Sequence, residues 1–212
     1  MQDEEMPFAI VTFAAAAALL ILVPGPDNAL VVRNALRGGQ RFGQATAAGV
    51  LTGLLLWAAA AALGLSALLQ ASRTGYDILR YAGAVYLVGL GLNSLRSPKP
   101  AAAANEQAAK SPGPIRLGYL TGVTTNVVNP KVGIFFITFL PAFVPQGEPV
   151  GAISLLFGGM FVIETAAWFA LLLWLVGRGS AWLRKARVQR RLERLTGFVL
   201  IGFGLRLATE RR

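Results

Sequence analysis

The sequence predicts an all-α membrane protein with six transmembrane helices in a 3+3 inverted repeat, of which helices one and four are broken by proline. Three observations lead there. Of the 212 residues, 55% are hydrophobic and only 14% charged, with a mean hydropathy of +0.57, well above the apolar content of an average soluble domain. The apolar residues gather into six runs, close to the roughly 20 residues that a spanning helix needs. The first run carries Pro24 and Pro26 and the fourth carries Pro130. Paired breaks at corresponding positions point to an inverted repeat with a site between its halves.

The first helix is expected over about residues 7–32. Pro24 and Pro26 each remove a backbone donor and clash with the carbonyl four residues earlier, which frees the carbonyls of Leu20 and Leu22. In lipid, freed backbone groups are tolerated only where protein buries them or a wet cavity meets them. Val23-Pro24-Gly25-Pro26-Asp27-Asn28 therefore reads as a functional break, with Gly25 as a joint between prolines. The preceding Met1-Gln2-Asp3-Glu4-Glu5 is acidic, whereas a secretory signal needs a basic region there, so the first helix is expected to be retained.

The second helix lies within residues 42–72, a stretch without charge that offers Gly49 and Gly53 for close helix contact. The third covers about residues 76–95, with Asp77 and Arg80 at its start. Residues 96–116 are rich in proline, alanine and charge and read as an exposed linker between a first half (about 7–95) and a second half (about 117–208) of one transporter domain. The fourth helix, about 117–144, is interrupted by Asn126, Asn129-Pro130 and Lys131 and ended by Pro141, Pro145 and Pro149. The fifth, about 150–177, carries Glu164 near its middle. The sixth, about 192–208, is short and flanked by charge, so five spans with an interfacial sixth segment is the alternative count.

Basic residues orient the chain, because short cytoplasmic loops carry the excess. Arg33, Arg37 and Arg41 follow helix one; Arg96, Lys99, Lys110 and Arg116 follow helix three; seven more lie between Arg178 and Arg194. The opposite side holds Arg73, Arg80, Arg206, Arg211 and Arg212. Both termini are thus expected outside. The acidic N-terminus agrees and the basic C-terminal tail does not. This distribution also explains the net charge of +10 without nucleic acid, and the stretch from Arg184 to Arg194 suits an anionic leaflet surface.

The chain has no cysteine and no histidine, so disulfides, thiol relays and the usual zinc, haem and iron–sulfur ligand sets are excluded. No metal or cofactor is expected. Chemistry falls to Asp, Glu, Lys, Asn and backbone. Three ionisable residues lie within expected spans: Asp27, Lys131 and Glu164. An intramembrane charge costs several kcal/mol unless paired or hydrated, which favours Asp27 with Lys131 as a pair across the two breaks. The plainer readings are that Asp27 caps the cytoplasmic interface and that Pro130 is a packing kink. Pro130 frees the carbonyl of Asn126 and pushes Asn129 out of helical geometry. Trp57, Trp168, Trp174 and Trp182 are expected to anchor at interfaces or to pack.

Pro24-Gly25-Pro26-Asp27-Asn28, Tyr86-Leu87-Val88-Gly89-Leu90-Gly91, Gly118-Tyr119 and Asn129-Pro130-Lys131 with Phe135-Phe136 together resemble the lysine exporter and homoserine/threonine exporter (LysE/RhtB) family. The resemblance covers nearly the whole chain and is specific in combination, while each motif alone is weak. It implies six helices, a bacterial inner-membrane location and proton-motive-force-driven efflux of amino acids. Pro24, Gly25, Pro26 and Asp27 match its first motif and Asn129, Pro130 and Lys131 its second.

The expected function is secondary export of amino acids or close derivatives. Lys131 would meet the substrate carboxylate, and Asp27 or Glu164 with freed carbonyls would meet the ammonium group. Expected partners are the amino-acid substrate, protons as coupling ion, membrane lipids and, allowed but not required, a second copy in a homodimer; nucleic acid is not among them. The alternatives are a passive channel of the same fold, disfavoured by the few polar residues available to line a pore, and an intramembrane Ser/Lys hydrolase. For the hydrolase, Ser66, Ser94 and Ser154 lie in spans without a nucleophile motif.

Overall fold

Prolines start the helices Pro26–Gly38 and Pro130–Ile134 and directly precede Ile115–Val127 and Val150–Gly177, and one glycine, Gly39, separates the second helix from the third. The computed structural model describes residues 2–22, 25–71, 73–96, 114–145 and 147–178, with positions 194, 198, 201, 202, 204 and 205 of the C-terminal segment. Among these residues the fold is all-helical. Helix α1 (Gln2–Leu22) is followed by α2 (Pro26–Gly38), whose first residue is a proline, tolerated there because the first-turn N–H has no helical partner anyway. Segments Met6–Leu22 and Pro26–Gly38 are inclined by 52°.

Two details differ from the sequence expectation. Helix α1 starts at Gln2 and carries Pro7 inside it. Helix α2 continues past residue 32 and the next helix begins at Gln40, so Arg33, Arg37 and Arg41 are all helical rather than in a loop. An amphipathic pattern sustains it: Leu30, Val31, Asn34 and Ala35 are buried while Leu36 and Arg37 are exposed. Gly39, at φ 83°, stands alone between α2 and α3, a left-handed conformation that favours glycine.

Helix α3 (Gln40–Ala71) and helix α4 (Arg73–Arg96) cover the second and third expected segments. The fourth is divided into α5 (Ile115–Val127) and α6 (Pro130–Ile134), the latter passing into a π turn (Phe135–Phe139) and a 3₁₀ turn (Leu140–Phe143). Ile115–Val127 and Pro130–Phe143 are bent by 50°, nearly the angle of the first break. Helix α7 (Val150–Gly177) coincides with the fifth segment.

Gln40–Gly64 and Val150–Gly177 are each long and apolar enough to cross a membrane, and counting each bent pair as one span gives four among the described residues. The described positions of the sixth segment are helical. A Cβ on Gly204 would come within 2.8 Å of the Ala84 carbonyl, so this segment lies against α4. Pro24, Trp182, residues 97–113 of the linker and residues 184–193 of the basic stretch lie outside the described residues.

Packing around α3 positions the site. A Cβ on Gly49 would collide with the Tyr119 carbonyl, one on Gly122 with the Thr46 carbonyl, and one on Gly53 would come within 2.6 Å of Asn126 Oδ1. The small residues on both helices thus let α3 and α5 meet backbone to backbone. Tyr119 adds a hydroxyl bond to Thr52 Oγ1 at 3.1 Å.

On the other side lies a phenylalanine cluster. Phe13 of α1 stacks on Phe157 of α7 with centroids 4.5 Å apart and meets Phe143 edge-on at 5.4 Å. Phe135 of the π turn sits 4.7 Å from Phe161 of α7. A smaller apolar cluster joins Val31, Ala35, Ala47, Val50, Phe169 and Leu172.

Candidate functional site

Between these two clusters the breaks of the first and fourth segments face a single cavity of about 30 Å³, room for a water or two. The end of α1 contributes Leu20 and Ile21, the start of α2 Gly25, Asp27 and Asn28, and α3 Val50 and Leu54. The start of α6 contributes Lys131 and Val132, and α7 Phe161, Thr165 and Phe169.

Asp27 is the second residue of α2, and its carboxylate is held from the opposite half of the chain. Its Oδ2 accepts from Asn126 Nδ2 at 2.8 Å and from Asn129 Nδ2 at 3.1 Å. Hydrogen bonds to an ionised group each contribute about 1.5–3 kcal/mol. Its Oδ1 is buried and has no hydrogen-bond partner among the described residues. The cation acting electrostatically on Asp27 is Lys131, and Asp27 acts in turn on Lys131. One carboxylate and one ammonium therefore share the cavity wall, and their charges cancel.

The backbone around each break is tied down. Asn28 Nδ2 reaches back to the Ile21 carbonyl at 3.1 Å, which bridges the first break. Asn129 is extended (φ −74°, ψ 107°) and caps α6, its Oδ1 accepting from Lys131 N at 3.1 Å. The Asn126 carbonyl that Pro130 frees accepts from Asn129 N at 3.0 Å, and Trp57 Nε1 lies 3.4 Å from it. Trp57 is thus a donor to the break. Its sequence carried no signal of that, since the partner is 69 residues away.

Of the residues singled out in the sequence, Gly25, Asp27, Asn28 and Lys131 line the cavity, with Asn126 and Asn129 directly behind Asp27. Pro26 and Pro130 start the two half-helices. Gly25 is extended at φ −147°, a conformation open to any residue. Glu164 is not on the wall: its neighbour Thr165 is, with a hydroxyl that donates to the Phe161 carbonyl at 2.8 Å. Glu164 Oε2 is buried and unpartnered among the described residues, as is Trp168 Nε1 one turn further along α7. Ser154 is buried and off the cavity, so it gives Lys131 no nucleophile; the side chains of Ser66 and Ser94 lie outside the described residues. No cluster of metal-ligating side chains occurs among the described residues.

Curated relatives align along nearly their full length. The threonine efflux protein of Escherichia coli is 27% identical over 94% of this chain and 97% of its own. The leucine efflux protein of Klebsiella pneumoniae is 27% identical over 93% of each. The membrane protein PA4757 of Pseudomonas aeruginosa is 30% identical over 93% of this chain and 94% of its own. No solved structure matches the chain. The LysE type translocator family matches residues 18–211, and with nine-tenths of its length inside that match, two proline-started half-helices and the charge pair between them, the chain belongs to the LysE type translocator family.

Proposed function

We propose that the protein is a secondary active exporter of amino acids or close derivatives in the bacterial inner membrane. In this reading it has six spans in a 3+3 inverted repeat with both termini outside, and the proton motive force drives it. One observation supports the reading above the others: Asp27 and Lys131, from separate halves of the chain, line the same cavity. A zwitterion carries an ammonium and a carboxylate a few ångströms apart, and this pair offers the complement of each.

The carboxamides of Asn126 and Asn129 hold Oδ2 of Asp27 and leave Oδ1 for the substrate ammonium. The ammonium of Lys131 takes the substrate carboxylate. Separating Asp27 from Lys131 on two half-helices means that binding a zwitterion engages both halves of the repeat. Rocking of one half against the other then exposes the site to alternate sides. Proton coupling follows from competition: Oδ1 of Asp27 accepts either a proton or the substrate ammonium, so outward substrate movement exchanges for inward proton movement. Glu164, a second acid one residue from the wall, extends the proton pathway along α7.

The names of the relatives, leucine efflux and threonine efflux, support the amino-acid reading. The test is export from cells loaded with dipeptides, with and without a protonophore. The exporter predicts release against a gradient that collapses when the proton gradient does. A passive channel releases amino acids only down their gradient and is indifferent to the protonophore.

A further inference from the structure

The cavity wall carries more information than the charge pair. The cavity as it stands has room for a water or two, so a substrate enters only as the two halves part; its zwitterionic head group then uses Asp27 and Lys131, and its side chain faces what remains. The remaining wall is apolar, with Leu20, Val50, Leu54, Phe161 and Phe169 among it, apart from the Thr165 hydroxyl, the backbone at Gly25 and the carboxamide of Asn28, whose Nδ2 donates to the Ile21 carbonyl. Thr165 supplies the one hydroxyl among them, and its proton is already donated to the Phe161 carbonyl. Among the described residues no third charge lines the cavity.

From this lining we infer that the preferred substrates are neutral amino acids with aliphatic side chains, selected by the α7 face Phe161–Thr165–Phe169. The inference rests on the amino-acid-export reading and narrows it. Three physical comparisons carry it. An aliphatic side chain against this wall leaves water for apolar surface, which favours its binding. A hydroxylated side chain of similar size meets only the Asn28 carboxamide and the Thr165 oxygen as side-chain polar groups beyond the head-group pair, and an apolar pocket rejects such an isostere by up to about a hundredfold. A basic or acidic side chain would bring a third charge to a wall whose own charges cancel, with nothing to pair it. The residues at i, i+4 and i+8 on α7 share one helical face, so one element sets the selectivity while the two half-helices set the head group.

The test is initial export rates from proteoliposomes holding the full chain, each loaded with leucine, threonine, lysine or glutamate at equal concentration. The expected order is leucine about tenfold above threonine and at least a hundredfold above lysine and glutamate. Thr165→Asp puts an acid on the side-chain wall and is expected to raise the lysine-to-leucine ratio at least tenfold. Thr165→Val, close in volume and safer for folding, is expected to raise the leucine-to-threonine ratio about fivefold. Lysine or glutamate moving within threefold of leucine overturns the inference while leaving amino-acid export standing. Unchanged ratios in both Thr165 variants overturn the role of α7. No transport of any of the four by wild-type protein overturns the export reading and this inference with it.

Discussion

Asp27 and Lys131 hold equivalent places in two half-helices: each directly follows the proline that starts its helix, in Gly25-Pro26-Asp27 and Asn129-Pro130-Lys131. The two half-helices leave their preceding segments at 52° and 50°, and both charged residues line one cavity. Opposite charges at matching positions suit the proposed zwitterion site. The match is local, however. The first break follows a helix of 21 residues and the second a helix of 13, so the half-helices correspond while the segments before them differ in length.

Removing a carboxamide behind Asp27 should weaken binding more than folding. Asn126→Ala takes away the 2.8 Å donor to Oδ2, and loss of a hydrogen bond to a charged group costs about 1.5–3 kcal/mol. The expected outcome is a rise of roughly tenfold to a hundredfold in the apparent KM for export, since 1.4 kcal/mol is about a factor of ten. Asn129→Ala removes the second donor and the α6 cap together, so it should also lower thermal stability in detergent. An unchanged KM in both variants would remove the carboxamides from the site.

The approach of α3 to α5 should fail at Gly49 and not at Gly159. A Cβ on Gly49 meets the Tyr119 carbonyl, whereas nothing lies within 4 Å of one on Gly159. Gly49→Leu is expected to lower the Tm in detergent by several degrees and to reduce export, because the shift displaces Asn126 from Asp27. Gly159→Ala should leave both at wild-type values. Equal effects of the two substitutions would mean that the contact does not position the site.

The sequence disclosed the breaks because proline acts on its own backbone: the missing donor and the ring clash are decided within four residues. Gly49 and Gly53 were legible for a similar reason, as a spacing on one helix. What connects the breaks was not. Asn126 reaches Asp27 across 99 residues and Trp57 reaches the Asn126 carbonyl across 69, and no local pattern encodes such partners. Glu164 shows a different limit. Helix α7 is apolar on every side, so its sequence has no polar face from which to read which side is inward. The structure puts Thr165 on the wall instead. Charge marks a boundary and so places Arg33, Arg37 and Arg41 in a loop, yet the amphipathic α2 carries the first two and α3 the third.

Phe13 should be the most costly truncation on α1. It is fully buried and contacts Phe135, Phe143 and Phe157. Phe13→Ala leaves a cavity at the junction of α1, α7 and the π and 3₁₀ turns, with an expected cost of about 3–5 kcal/mol. The measurement is thermal unfolding in detergent beside Phe8→Ala, whose side chain is 70% exposed and whose loss should be small. A larger loss at Phe8 would contradict the packing described.

On the proposed mechanism, substitution of Glu164 is expected to separate proton coupling from selectivity. Because it lies off the wall, Glu164→Gln is expected to slow export driven by a pH gradient about tenfold while leaving the leucine-to-lysine ratio at its wild-type value. Both quantities come from one set of proteoliposome assays. A changed ratio with unchanged rate would place Glu164 in side-chain recognition and not in the proton pathway.

The central claim is that Asp27 and Lys131 together bind the substrate, and the most direct measurement is export by Asp27→Asn and Lys131→Met at matched protein levels in the membrane. The account predicts that each substitution abolishes accumulation outside the cell against a gradient while the protein remains in the membrane. Wild-type efflux rates in both variants would contradict it.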